Sequence, residues 1–136
     1  ADFAVDSLCA QFSERIYALE PTFLVPIPLH PLRQLTRGYN QAEILANRIG
    51  EQLGIPVAND FIERKKHRHE QARLVEHERA PNVHGVFVAM ADADPGERVI
   101  LVDDVATSGA TVTEARRILI EAGFEVPGCI SIAHGL

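Results

Sequence analysis

The residues from Val99 to Thr113, VILVDDVATSGATVT, decide the fold of this chain. Their opening apolar run predicts a buried strand of a parallel sheet. Two acids, Asp103 and Asp104, end the strand; a loop of small, hydroxyl-bearing residues and the start of an amphipathic helix follow. Ligands of open parallel sheets bind beyond the carboxyl ends of the strands, so this loop is the candidate ligand site.

The chemistry of the loop suits a phosphate monoester. Small residues let several backbone N–H groups converge on one anion, and the helix N-terminus adds the positive end of its dipole. Thr107, Ser108 and Thr111 add hydroxyl donors. The loop lacks the lysine of a G-x-x-x-x-G-K-[ST] motif, and the chain has no G-x-G-x-x-G. The adjacent acids would repel a bare phosphate, but they could bind sugar hydroxyls or a metal beyond it. In the alternative interpretation Asp103 caps the turn and Ser108 caps the helix, with no ligand.

The rest of the chain alternates between helical and strand patterns. We predict helices over 3–19, 40–53 and 110–122, and strands over 22–27, 61–63, 83–89, 98–102 and 124–132. Asp2 is the expected cap of the first helix; Asn40 and Gly54 are the expected ends of the second. This order predicts an α/β fold with a mainly parallel sheet flanked by helices.

Length and composition favour one soluble, cytoplasmic domain. The chain has 136 residues, enough for a single core over 1–136, and it shows no apolar run of membrane-spanning length and no export leader. Cys9 and Cys129 are expected to be buried, reduced thiols. The net charge of -6 argues against direct nucleic-acid binding, although residues 64–79 hold six of the 13 Lys and Arg residues.

VILVDDVATSGAT resembles the phosphoribosyl-pyrophosphate signature of type I phosphoribosyltransferases. The resemblance implies that Asp103 and Asp104 hold the ribose 2- and 3-hydroxyls, directly or through Mg²⁺, and are the catalytic acids of the site. It also implies a 5-phosphate cradle made of Thr107, Ser108, Gly109, Ala110 and Thr111.

A narrower resemblance covers most of residues 24–135. PIPLHPLRQLTRGYNQA, from Pro26 to Ala42, is similar to a pattern of the ComF family of competence-associated phosphoribosyltransferase-like proteins. Gln71, Leu74, Arg79, Asn82, Gly85 and Phe87 also fall at that family's positions. Full-length members usually begin with a four-cysteine zinc module, which is absent here, so we expect the transferase domain alone, with a minimal hood or none.

The resemblance also assigns the basic residues. Arg33 and Arg37, in the loop after the first core strand, would bind pyrophosphate through their guanidinium forks. Lys65, Lys66, Arg68 and Arg73 would lie in a flexible loop over 64–82 that closes on the leaving group. The alternative for each is an ordinary solvated side chain.

The function implied is transfer of a phosphoribosyl group from phosphoribosyl pyrophosphate, with Mg²⁺, to an unidentified acceptor that is expected to be a nitrogenous base. Two alternatives remain: a non-catalytic regulator that binds phosphoribosyl pyrophosphate or a nucleotide, and an adaptor in DNA uptake during competence. We expect no membrane partner, and a homodimer is left open.

Overall fold

The structure is a computed structural model that describes residues 2–28, 40–65, 86–103 and 109–131. Its elements run in the order α1 (Asp2–Ala18), β1 (Phe23–Pro26), α2 (Gln41–Leu53), β2 (Ile62–Arg64), β3 (Phe87–Ala89), β4 (Arg98–Asp103), α3 (Ala110–Glu121) and β5 (Glu125–Ser131). The predicted elements are confirmed with shifts of one or two residues at most ends. Asp2 is itself helical, so the predicted cap of the first helix is wrong.

The main sheet is parallel, with the strand order β1-β4-β5. Leu24 stands opposite Ile100, and Leu101 stands opposite Cys129, so the apolar strand of the motif lies between the other two. Strands β2 and β3 form a separate, antiparallel two-stranded sheet, with Arg64 opposite Phe87. The prediction of a parallel sheet flanked by helices is confirmed for the main sheet.

Alternate residues of β4 supply the two hydrophobic cores. Val99 and Leu101 belong to a core with Ala115 and Leu119 of α3. Ile100 and Val102 belong to a second core, which contains residues of α1 and α2. Because side chains alternate along a strand, α1 and α2 cover one face of the sheet and α3 covers the other. All four of these β4 residues are at most 1% exposed. Their packing holds the strand in place, and with it Asp103 at the strand's end.

Helix α2 has the ends that its sequence predicts. The Asn40 side chain accepts a hydrogen bond from the backbone N–H of Ala42, as an N-cap does. Gly54 has φ 72°, in the left-handed region that favours glycine after a helix. Among the described residues, no helix is both long and apolar enough to span a bilayer.

Candidate functional site

Asp103 is the last residue of β4, at the carboxyl edge of the parallel sheet. It stands opposite Ser131 of β5, and the preceding Val102 stands opposite Pro26 of β1. The carboxyl ends of the three strands therefore lie side by side, the place where open α/β sheets bind ligands. Asp103 is half-buried, and by alternation it projects from the α3 face. This places one predicted acid where a ligand can reach it.

Helix α3 begins at this same edge. Its N-cap is Gly109, with φ 78° and no side-chain cap hydrogen bond. This result excludes Ser108 as the N-cap residue, so the ligand-free interpretation is wrong on that point. The first turn contains no acidic residue, and Ala110 and Thr111 are half-buried. The first turn of α3 thus adds no negative charge of its own to the positive end of the helix dipole.

Cys129 lies on the neighbouring strand, opposite Leu101 and two residues before Ser131. The prediction that both thiols are buried is wrong for Cys129, which is exposed at the outer side of the described sheet, whereas Cys9 is buried in the core. Loss of water around the sulfur, and then the negative charge of Asp103, raise the pKa of the Cys129 thiol to about 11. The electrostatic effect indicates that this thiol and the Asp103 carboxylate are near neighbours.

Side chains from two other parts of the chain donate hydrogen bonds to the backbone that follows β1. The backbone N–H of Ile27 donates to the Val102 carbonyl oxygen at 2.9 Å, which extends the strand pairing past Pro26. Asn40 Nδ2 donates to the Ile27 carbonyl oxygen at 3.2 Å. Arg64 Nε donates to the Pro28 carbonyl oxygen at 2.8 Å.

Several predicted site residues lie outside the described residues: Asp104, Thr107, Ser108, Arg33, Arg37, Lys66, Arg68 and Arg73. Of the predicted ribose and phosphate residues, the structure describes Asp103 at the end of β4 and Gly109, Ala110 and Thr111 at the start of α3. Lys65 has an exposed side chain, and its backbone N–H donates to the Val86 carbonyl oxygen at 2.8 Å. The predicted start of the flexible loop, residue 64, is therefore too early. Arg64 is the last residue of β2, and Lys65 extends the backbone pairing between β2 and the segment that leads into β3.

Glu114, one turn into α3, was missed by the sequence analysis. It is only 5% exposed, and its two carboxylate oxygens accept from Arg117 Nε at 3.0 Å and Nη2 at 2.7 Å. Arg117 also pairs with Glu121, and the hydrogen bond to Glu114 above all raises the pKa of Arg117. The only sequence signal was the i, i+3 spacing of opposite charges, which is common on solvated helix faces.

A cavity of about 280 Å³ lies between α1 and β5, and its lining reaches Cys129 and Ser131 of β5. Its lining includes Phe12, Ile16, Ile100 and Ile130, which are mostly apolar, together with Arg15. Ile100 projects from the α1 face of the sheet, whereas Asp103 projects from the α3 face. The cavity therefore does not contain the acid of the motif.

The described residues contain no cluster of three or more His, Cys, Asp and Glu side chains that could hold a metal by themselves. Magnesium does not require such a cluster, because it retains several waters and often takes one or two carboxylates plus substrate oxygens. Asp103, a half-buried carboxylate at the carboxyl edge of the sheet, suits that mode of binding. A structural zinc site, which needs four protein ligands, does not fit the described residues.

Comparisons with known proteins agree with this fold. Residues 2–135 match the family described as Phosphoribosyl transferase domain. Over 95% of the chain superimposes on purine phosphoribosyltransferase from Pyrococcus horikoshii, with a TM-score of 0.58, 17% identity and 82% of that chain covered. Adenine phosphoribosyltransferase from Leishmania tarentolae gives a TM-score of 0.59 at 19% identity, with 97% of this chain and 58% of that chain covered. At these identities the likeness concerns the fold alone.

Proteins that are similar in sequence narrow the family assignment. Competence protein F of Haemophilus influenzae is 36% identical over 87% of this chain and 53% of its own length. Competence protein ComFC of Bacillus subtilis is 31% identical over 80% of this chain and 42% of its own length. The chain thus spans about half the length of these curated relatives. By these matches the chain belongs to the phosphoribosyl transferase domain family and to its ComF type.

Proposed function

We propose that this domain binds 5-phosphoribosyl-1-pyrophosphate and transfers its phosphoribosyl group to a nitrogenous base. The observation that carries the proposal is that β4 ends with Asp103 at the carboxyl edge of the parallel sheet and that the next helix, α3, begins after Gly109 with no acid in its first turn. A phosphorylated sugar needs two different contacts, acceptors for its hydroxyls and donors for its phosphate. A strand-end carboxylate and a helix N-terminus supply one of each.

In this proposal the phosphate lies against Gly109, Ala110 and Thr111, with Thr107 and Ser108 completing the cradle. The φ of 78° at position 109 favours glycine, and among the described residues no heavy atom lies within 4 Å of a Cβ built there. No acidic side chain in the first turn of α3 would repel the phosphate.

The ribose lies over the carboxylates of Asp103 and Asp104, which accept hydrogen bonds from its 2- and 3-hydroxyls. Positive charge grows on the ring as the bond from C1 to pyrophosphate breaks, and nearby carboxylates stabilise that charge. Bound Mg²⁺ would neutralise part of the negative charge of pyrophosphate. Asp103 and Asp104 would be its protein ligands, directly or through water.

Pyrophosphate leaves on the side of Arg33 and Arg37, which follow β1, and of the basic residues Lys65, Lys66, Arg68 and Arg73, which follow β2. Guanidinium and ammonium groups neutralise the charge that develops on the leaving group. The acceptor attacks C1 from the opposite side, and no protein nucleophile is needed. The acceptor's ring nitrogen forms the new bond to C1, and the bond from C1 to the pyrophosphate oxygen breaks.

The test is release of pyrophosphate in the presence of phosphoribosyl pyrophosphate, Mg²⁺ and each of a panel of purine and pyrimidine bases. We expect one class of base to accelerate release well above the hydrolysis seen without a base. Binding of phosphoribosyl pyrophosphate by calorimetry, with no acceleration by any base, would instead favour a regulator that binds the ligand without transfer.

A role in DNA uptake or use is a second proposal, favoured by the names of the relatives: competence proteins in two bacteria above and a DNA utilization protein in Escherichia coli, 28% identical over 76% of this chain. With a net charge of -6, we propose that the domain acts on nucleotides or through protein partners rather than by contacting DNA. Transformation assays of a strain carrying Asp103→Asn would test whether the ligand site is required. Normal transformation by that strain would contradict a role for the site in uptake.

A further inference from the structure

The cavity between α1 and β5 has a floor made by the sheet and a wall made by the helix. Ile100 and Ile130 contribute to the floor, and both belong to the core on the sheet face that α1 covers. Leu8 and Ile16 of α1 contribute to the wall, and they belong to the same core. Packed apolar side chains therefore bound the space of about 280 Å³, which is close to the lower end of the volumes of small-molecule sites.

Gly128 leaves room at one end of this cavity. A Cβ at this position would lie 3.2 Å from Leu19 Cδ1, which is closer than an ordinary van der Waals contact. Leu19 therefore closes the cavity over a stretch of bare backbone. Ser131, further along β5, borders the cavity at the carboxyl edge of the sheet, so the space extends about 10 Å along the strand.

Arg15 is the one charged side chain among the described residues that line the cavity. Its guanidinium carbon lies 5.6 Å from the centroid of the Phe12 ring, which also lines the cavity, so a cation–π contact holds the charge at the rim. In the part of the chain that the structure describes, no carboxylate forms an ion pair with Arg15. The guanidinium N–H groups are therefore available to an anion from outside the chain.

We propose that this cavity binds an aromatic carboxylate. The ring lies in the apolar space between Gly128 and Ile130 of the floor and the helix, and the carboxylate accepts hydrogen bonds from Arg15 at the rim. The planar guanidinium matches the geometry of a carboxylate, and the apolar surroundings strengthen the attraction between the two charges. Because Asp103 projects from the other face of the sheet, this site is separate from the ribose site and does not depend on the proposed function.

Indole-3-acetate is the probe, since it combines an aromatic ring with one carboxylate. The chain contains no tryptophan, so indole emission comes from the ligand alone. Indole-3-acetamide has the same ring without the charge, and acetate has the charge without the ring. Fluorescence titration and calorimetry measure the affinities, and thermal unfolding shows that each variant is folded.

Three variants separate the charge from the space. Arg15→Gln removes the cation, and Arg48→Gln is the matched control on α2, outside the cavity lining. Gly128→Ala narrows the end of the cavity that Leu19 closes.

We expect indole-3-acetate to bind the unsubstituted protein with an emission shift to shorter wavelength, because the ring leaves water. The amide should bind about threefold to tenfold more weakly, as expected for loss of one partly exposed charge-assisted contact, and acetate should not bind measurably. Arg15→Gln should remove the difference between acid and amide, whereas Arg48→Gln should preserve it. Gly128→Ala should weaken both indole ligands.

Equal affinities for acid and amide in the unsubstituted protein, or a difference that survives Arg15→Gln, would overturn the assignment of the carboxylate to Arg15. Binding that Gly128→Ala leaves unchanged would place the ligand outside the cavity. Light scattering provides the remaining check: a dimer that indole-3-acetate does not bind would assign the cavity to an interface between two copies and overturn the proposal. Failure of a monomeric protein to bind the acid would overturn it as well.

Discussion

Cys129 and Asp103 project from the same face of the sheet, from adjacent parallel strands, with Cys129 opposite the residue two before Asp103. Loss of water around the sulfur, and then the charge of Asp103, raise the pKa of Cys129 to about 11. The pKa of this thiol is therefore sensitive to the charge at position 103, the acid that we place under the ribose.

Replacing Asp103 by Asn should lower the pKa of Cys129, because the thiolate would no longer form beside a negative charge. The rate of reaction with a small thiol reagent, followed against pH in a Cys9→Ala background, measures that pKa. With Asp103 present, the rate should rise as the pH approaches the thiol pKa of about 11, whereas in the Asp103→Asn variant the rise should come at lower pH. Asp94→Asn, in the exposed turn before β4, is the control. Identical profiles for all variants would contradict the contact.

The double substitution Asp103→Asn with Asp104→Asn should abolish binding of phosphoribosyl pyrophosphate while the protein stays folded. Asp103 ends its strand half-buried, so it adds little to the core that Val99 and Leu101 build. Calorimetry gives the affinity, and thermal unfolding checks the fold. Unchanged affinity would mean that the carboxylates have only a structural role.

Gly109→Ala should destabilise the fold and also weaken ribose 5-phosphate binding. A residue with a Cβ costs about 1–2 kcal/mol in the left-handed region, so the start of α3 would be strained. Gly54→Ala is a matched control, since Gly54 has φ 72° and, as at Gly109, no heavy atom of the described residues lies within 4 Å of an added Cβ. Both should lower the free energy of unfolding by similar amounts in denaturant titrations. A similar loss of binding in both variants would show that Gly109 has no special relation to phosphate.

Glu114→Ala should lower the free energy of unfolding by about 1–3 kcal/mol, because two hydrogen bonds to a charged partner are lost from a buried site. Glu121→Ala, which removes the exposed partner of the same arginine, should cost less than about 1 kcal/mol. Urea unfolding of the two variants makes the comparison. Equal effects would contradict the assignment of the stronger pairing to Glu114.

The sequence was sufficient to predict the helices, most of the strands and the edge of the sheet at which the candidate site lies. The short, β-branched apolar run before Asp103 favours a buried strand. Asn40 and Gly54 cap α2 through interactions with neighbouring residues in the sequence. The thiol of Cys129 was predicted wrongly because an apolar sequence neighbourhood does not distinguish a central strand from one at the side of the sheet. Burial depends on which strands pair, and that is not a local property.

The sequence by itself determined that a buried strand carries an acid to the carboxyl edge of a parallel sheet and that a small-residue loop and a helix follow. These features depend on side-chain alternation and on backbone preferences of neighbouring residues. Only the tertiary structure decided that Glu114 is a buried ion-pair partner and that Arg64 holds the Pro28 carbonyl beside Phe87. Both contacts depend on packing between elements: the desolvation of one helix face in the first case, and the approach of distant strands in the second.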